Sequence, residues 1–165
     1  IYSRYVYKIG SEEIPLHKKI VLRITPKDDL FDSTLYVATT NKKGEVVFLG
    51  NKFIDGTIEA KTNVLGNFFI AKDNIPPTII PKNFRNNSSV AENWSLRLEI
   101  DDKDSGINKY EMYINGEWVL ADYDAKNKLL MYQIDDHINK GNNTLEVFVT
   151  DMVGNRGVYR TIIQR

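Results

Sequence analysis

Asp101-Asp102-Lys103-Asp104-Ser105-Gly106-Ile107 and Asp151-Met152-Val153-Gly154-Asn155 each stand where one strand ends and the next begins. The segment Ser95–Asp101, which leads into the first stretch, alternates leucine and isoleucine with polar residues. Thr144–Asp151 leads into the second stretch in the same way. This period of two is typical of strands with one buried face, and Asp, Ser, Gly and Asn are residues that tight turns favour. The two stretches therefore predict an immunoglobulin-like or fibronectin-like β-sandwich for the second half of the chain.

The rest of the sequence extends this pattern to the whole chain. Short alternating segments recur between turn residues, Asn115-Gly116 is a strong two-residue hairpin signal, and no segment keeps a helical period. The adjacent prolines in Asp73-Asn74-Ile75-Pro76-Pro77-Thr78 favour a short, extended joint. We therefore predict an all-β chain of two tandem antiparallel β-sandwich domains. They comprise residues 1–74 and 75–165, and the second is immunoglobulin-like or fibronectin-III-like.

The composition excludes several classes of function. The chain has 165 residues, of which 42% are hydrophobic, and its 22 basic residues are balanced by 22 acidic ones. Such a balance argues against a nucleic-acid partner. Without cysteine there is no disulfide and no thiolate metal site. No uncharged stretch exceeds about ten residues, which is too short for a membrane span. We expect a monomer and, since the chain begins with Ile1, a processed protein or an excised fragment.

Catalytic motifs are missing from the sequence. The two histidines, His17 and His137, stand in separate halves of the chain, whereas a catalytic zinc site usually takes three protein ligands that start from a close histidine pair. There is no nucleophile elbow around a serine and no phosphate-binding glycine loop. We therefore expect no catalytic residue and no cofactor in this chain.

The acidic turns allow two interpretations. Asp101, Asp104 and Asp151 supply carboxylates that calcium would accept as ligands, although their spacing does not fit an EF-hand loop. Alternatively, Asp104 and Asp151 accept hydrogen bonds from backbone amides of their own turns. We favour the structural interpretation and keep the three residues as calcium candidates.

Two aromatic residues are candidates for stacking on a sugar ring. Trp118 and Tyr123 follow the predicted hairpin at Asn115-Gly116. The alternation that places Trp118 on the same strand face as Leu120 favours packing in or against the sandwich instead. Solvent exposure of Trp118 and Tyr123 distinguishes the two interpretations.

The run Leu65–Ile79 resembles the joint in the C-terminal region of a group of secreted Bacteroidetes proteins. In that group, β-sandwich domains follow a lysostaphin-like zinc metallopeptidase domain. The resemblance covers the chain from about Tyr7 to Arg165. It implies a secreted, periplasmic or cell-surface location and a parent protein that acts on peptidoglycan. The further matches are Asp104–Ile107, Gly116–Val119, Tyr123-Asp124 and Val149–Asn155.

The resemblance transfers no catalytic residue. The peptidase of that group carries a His-x-x-x-Asp motif and a His-x-His motif, but Val21 and Gly141 stand four residues after the two histidines here. We therefore predict a non-catalytic accessory module that spaces, positions or docks a peptidase domain absent from this chain. Its expected partners are that upstream domain and peptidoglycan, or another envelope glycan or protein. A carbohydrate-binding module and a stand-alone adhesin-like surface module are the alternatives.

Overall fold

The computed structural model describes residues 5–26 and 32–165. It divides the chain into two compact units. The first ends at Ile75 and also takes in residues 152–154, and the second comprises Pro76–Asp151 and Asn155–Arg165. In the described ranges no residue is helical, and none forms a helix long and apolar enough to cross a membrane.

The first unit is built from two antiparallel sheets. One sheet has the strand order β1-β7-β3-β4 and the other β2-β6-β5. A shared core lies between them and includes Leu22 and Ile58 from one sheet and Val37 and Phe68 from the other. The strands are β1 (Tyr7–Ile9), β2 (Ile20–Ile24), β3 (Leu35–Thr40), β4 (Val46–Gly50), β5 (Lys52–Ile54), β6 (Thr57–Thr62) and β7 (Gly66–Lys72).

The second unit is also a two-layer sandwich. Its sheets have the orders β13-β14-β10-β8 and β12-β11-β15-β16-β9, with antiparallel pairing except between β16 and β9. Leu98 and Leu130 from the first sheet meet Met112 and Val147 from the second in one core. The strands are β8 (Thr78–Pro81), β9 (Ser88–Ser89), β10 (Ser95–Asp101), β11 (Ile107–Ile114), β12 (Glu117–Val119), β13 (Asp122–Asp124), β14 (Leu129–Gln133), β15 (Asn142–Asp151) and β16 (Arg156–Gln164).

Local sequence signals explain several of these elements. The predicted hairpin between β11 and β12 is present, with Asn115 at φ 53° and Gly116 at φ 82°, the positive values that this turn requires. Along β15, Leu145, Val147 and Val149 are fully buried while the residues between them are not. The prediction of an all-β chain made of antiparallel sheets is confirmed.

Candidate functional site

The outer face of the five-stranded sheet in the second unit combines aromatic, cationic and acidic side chains. It exists because alternate residues of β11, β12, β15 and β16 point away from the core. On β15, for example, Glu146 and Phe148 are half-buried between fully buried neighbours. Cross-strand pairing then sets these outward residues side by side. We call this surface the outer face; its members are Lys109, Glu111, Tyr113, Trp118, Glu146, Phe148, Thr150, Arg156, Val158 and Arg160.

Trp118 is the most exposed aromatic residue of the outer face. It lies opposite Tyr113 in the pairing of β12 with β11, and Tyr113 lies opposite Glu146 of β15. The Trp118 residue is 57% exposed, whereas Val119 and Ala121 are buried. Trp118 therefore does not lie in the core, because its neighbour Val119 takes the core position. Packing against the rim of the sandwich and stacking on a sugar ring both stay predictions for this residue.

The other two aromatic rings of the outer face contact each other, and two arginines pack over one of them. Tyr113 and Phe148 meet edge to face, with ring centroids 5.8 Å apart and planes at 78°. The Arg156 guanidinium carbon lies 4.1 Å from the Phe148 ring centroid, and that of Arg160 lies 5.7 Å from it. Contacts of this kind hold cations over a ring by electrostatic attraction to its face. The aromatic residues and arginines therefore form one connected surface.

Charges on the outer face are arranged in cross-strand and same-strand pairs. Arg160 donates to Glu146 at 2.6 Å, and Lys109 Nζ lies 2.9 Å from Glu111 Oε1. The hydrogen bond from Lys109 is the main cause that lowers the pKa of Glu111 below its usual value, so this carboxylate stays ionised. Half-buried carboxylates and exposed guanidinium groups on the same sheet face as an exposed indole provide both hydrogen-bonding groups and an apolar plane.

Tyr123 lies on the other sheet of the second unit. Its strand β13 is an edge strand of the four-stranded sheet, and its ring packs against the core and against Tyr110 at a centroid distance of 5.4 Å. Burial, followed by the nearby charge of Asp101, raises the pKa of Tyr123. Trp118 and Tyr123, the two candidates for stacking on a sugar ring, therefore lie on different sheets.

Several residues of the outer face are not evident from the sequence alone. Tyr113, Phe148, Arg156 and Arg160 come from three strands separated by many residues along the chain. The available signal was alternation: Glu146, Phe148 and Thr150 occupy the positions between the core residues of β15. Alternation identifies which residues face outward, but only the strand register shows which of them become neighbours.

The first acidic turn is organised by Asp102. Its Oδ1 accepts hydrogen bonds from three backbone amides, those of Asp104 at 3.2 Å, Ser105 at 2.9 Å and Gly106 at 2.7 Å. Gly106 has a φ of 87°, which a glycine adopts without strain. Asp104 was the predicted acceptor in this turn, but these three amides donate to Asp102, which is two to four residues before them, as in an Asx turn.

The other calcium candidates have partners within the second unit. Asp101 Oδ1 lies 2.7 Å from Lys128 Nζ, and this hydrogen bond is the main cause that raises the pKa of Lys128. Asp151 is completely buried and accepts bonds from Asn155, from the backbone amide at 2.8 Å and from the side-chain amide at 2.7 Å. These contacts support a structural role for Asp151, and calcium binding by Asp101, Asp104 and Asp151 stays a prediction to be tested.

Asp151→Ala should lower the stability of the second unit whether or not calcium is present. Removing the carboxylate leaves two donors of Asn155 without this acceptor, and bonds to a charged group contribute about 1.5 to 3 kcal/mol each. We expect the midpoint of thermal unfolding to fall by roughly 10 °C or more, while calcium or a chelator changes the wild-type midpoint little. A rise of many degrees in millimolar calcium that Asp104→Ala or Asp151→Ala abolishes would establish a calcium site instead.

The two histidines lie in different units and have no catalytic arrangement among the described residues. His17 is an exposed residue between β1 and β2. The Nδ1 atom of His137 is 2.8 Å from Asp135 Oδ1. The backbone amide of His137 also donates to this oxygen, at 3.0 Å. Both histidines are therefore exposed residues of loops or turns.

Residues 2–73 match the family model described as the Zu5-like domain. Among solved structures, the chain is similar to the fibronectin(III)-like modules of Clostridium thermocellum CbhA, at 15% identity and a TM-score of 0.43, over 97% of this chain and 93% of that one. It is also similar to the apo form of an expansin of Clavibacter michiganensis, at 16% identity and a TM-score of 0.37, over 80% of this chain and 68% of that one. A search of curated proteins finds no match. The β-sandwich class rests on the strand topology itself.

Proposed function

We propose that this chain is a non-catalytic accessory module of a secreted or cell-envelope protein. In this proposal it positions a peptidoglycan hydrolase domain, absent from the chain, by docking on an envelope glycan. The observation that carries the proposal is the outer face of the second unit, where Trp118, which is 57% exposed, shares one sheet face with paired arginine and glutamate side chains.

The chemistry of the outer face matches a glycan better than an apolar partner. A sugar ring offers an apolar face that packs on an indole and hydroxyl groups that pair with charged side chains. Tyr113 is the cross-strand neighbour of Trp118. Glu146 supplies an acceptor one strand beyond Tyr113, and Arg160 supplies a donor on the strand after that. The ion pair between these two residues fixes both side chains before a ligand arrives, which reduces the entropy lost on binding.

The scaffold suits a positioning role because its binding side chains stand on a packed sheet. Strand β15, at the centre of the outer face, is backed by fully buried Leu145, Val147 and Val149. Sites on such strands are held more precisely than sites on loops. The resemblance to the β-sandwich regions of secreted peptidases supports the same interpretation.

Trp118→Ala should weaken binding of the chain to purified insoluble peptidoglycan. Loss of a tryptophan that anchors a ligand costs about 2 kcal/mol or more at a binding site, so we expect the dissociation constant to rise by at least about tenfold. Co-sedimentation with intact sacculi measures the bound fraction. Trp94→Ala is the matched control, because Trp94 is also a partly exposed tryptophan, at 43%, but does not belong to the outer face.

Two results of this experiment would contradict the proposal. Equal binding by wild type and Trp118→Ala would show that the outer face is not the surface that binds peptidoglycan. Release of soluble muropeptides during incubation with zinc, if His17→Ala or His137→Ala abolished it, would make the chain an enzyme. We expect the supernatant to contain no such products.

A stand-alone carbohydrate-binding module is the second candidate, and the exposure of Trp118 also favours it. A module of this kind recognises soluble oligosaccharides by itself. Short glycan fragments should then compete with sacculi for binding to the wild-type chain, and they should not bind the Trp118→Ala variant. Binding to intact sacculi without competition by soluble fragments supports the positioning function instead.

A further inference from the structure

A cleft in the first unit combines cationic and aliphatic side chains. It has a volume of about 420 Å³, which lies within the range of small-molecule sites. Its walls come from both sheets of this unit, through β3 and β4 on one side and β6 on the other. The lining residues that matter chemically are Lys19, Lys42, Lys61, Glu12, Val47, Leu49 and Val64.

The charge of the cleft favours an anion. Three lysines face it against one glutamate, and within residues 5–26 and 32–165 no ion pair is formed by Lys19, Lys42 or Lys61. This arrangement differs from other lysines of the chain, such as Lys82 and Lys128, which lie close to carboxylates. Uncompensated cations around a concave surface concentrate negative ligands there.

The turn that carries Lys42 is fixed by its own hydrogen bonds. Asn41 Oδ1 accepts from the backbone amides of Lys43 at 2.9 Å and Glu45 at 3.0 Å, and Asn41 Nδ2 donates to Glu45 at 2.7 Å. Gly44 closes the turn with a φ of 80°. The backbone at Lys42 is therefore in place before a ligand arrives, which lowers the cost of binding.

The other lining residues indicate the body of the ligand. Val47 and Val64 are 36% and 45% exposed, so the cleft offers aliphatic surface rather than aromatic rings. Among the residues that the structure describes, no aromatic side chain lines the cleft, which disfavours stacking on a sugar, and the one carboxylate there is too few for a cation such as calcium. We propose that this cleft binds a small organic dianion with a short aliphatic body, such as a dicarboxylate. The site is independent of the outer face of the second unit.

Titration of the full chain with adipate, followed by amide chemical shifts, tests this proposal. We expect saturable shifts that cluster at residues 39–42, 47–49 and 61–65, whereas adipamide, the neutral diamide of the same length, should shift them little. Lys42→Gln combined with Lys61→Gln should weaken adipate binding by about tenfold or more, because it removes two of the three cations.

Lys43→Gln is the matched control for the role of Lys42. Lys43 is the next residue of the same turn and is exposed, but it does not line the cleft, so its change should alter affinity less than twofold. The proposal is overturned if adipate shifts no cleft residue, if adipamide binds equally well, or if Lys43→Gln weakens binding as much as Lys42→Gln combined with Lys61→Gln. The spectrum of each variant also reports whether the first unit remains folded.

Discussion

Gly157→Ala should destabilise the second unit by about 3 kcal/mol, at the upper end of the cost of overpacking a core. A β-carbon on Gly157 would lie 2.3 Å from the carbonyl oxygen of Pro77, well below the 3.0 Å that real β-carbons keep. The obstacle is backbone and not the end of a flexible side chain, so a rotamer change cannot relieve it. Either β16 or the segment that enters β8 must move.

Unfolding of this unit is measurable through tryptophan fluorescence, because both tryptophans of the chain, Trp94 and Trp118, belong to the second unit. A loss of 3 kcal/mol corresponds to a fall of roughly 12 to 24 °C in the unfolding midpoint of a domain of this size. Val158→Thr is the control: Val158 is the next residue of β16, is 48% exposed, and keeps a β-branched side chain after the change. An alanine variant that unfolds within 2 °C of wild type would refute the close approach of β16 to Pro77.

Asn143→Leu should have an effect of similar size for a different reason. The Asn143 side chain is completely buried and uses all of its hydrogen-bonding capacity on nearby loops. Its Nδ2 donates to the carbonyls of Asn139 at 2.8 Å and Gly141 at 3.0 Å. Its Oδ1 accepts from the Asn139 amide and from Asn115 Nδ2, both at 2.8 Å. Leucine has almost the same shape but satisfies none of these groups.

We expect Asn143→Leu to lower the free energy of unfolding by about 3 kcal/mol or more, since each buried group left without a partner costs about 1 to 3 kcal/mol. Asn142→Leu is the matched control, because Asn142 is the exposed neighbour on the same strand. Hydrogen exchange should also show faster opening of residues 139–141 and of the turn at Asn115. If both leucine variants unfold at the same temperature, the buried network does not stabilise the second unit.

The sequence was sufficient for features that depend on neighbouring residues. Alternation along Ser95–Asp101 and Thr144–Asp151 predicts strands with one buried face, and the structure has β10 and β15 there. The need for positive φ values made Asn115-Gly116 a reliable hairpin signal. In each case the deciding interaction, either period-two burial or backbone sterics, acts within a few residues of the chain.

Tertiary structure decided which side chains meet. Trp118 and Tyr123 are close in sequence, yet the chain enters different sheets at β12 and β13, so one lies on the outer face and the other against the core. Tyr113, Trp118 and Phe148 become neighbours only through the register of β11 with β12 and β15. Register depends on how every strand buries its apolar residues at once, and a shift of one position would turn each side chain to the opposite face.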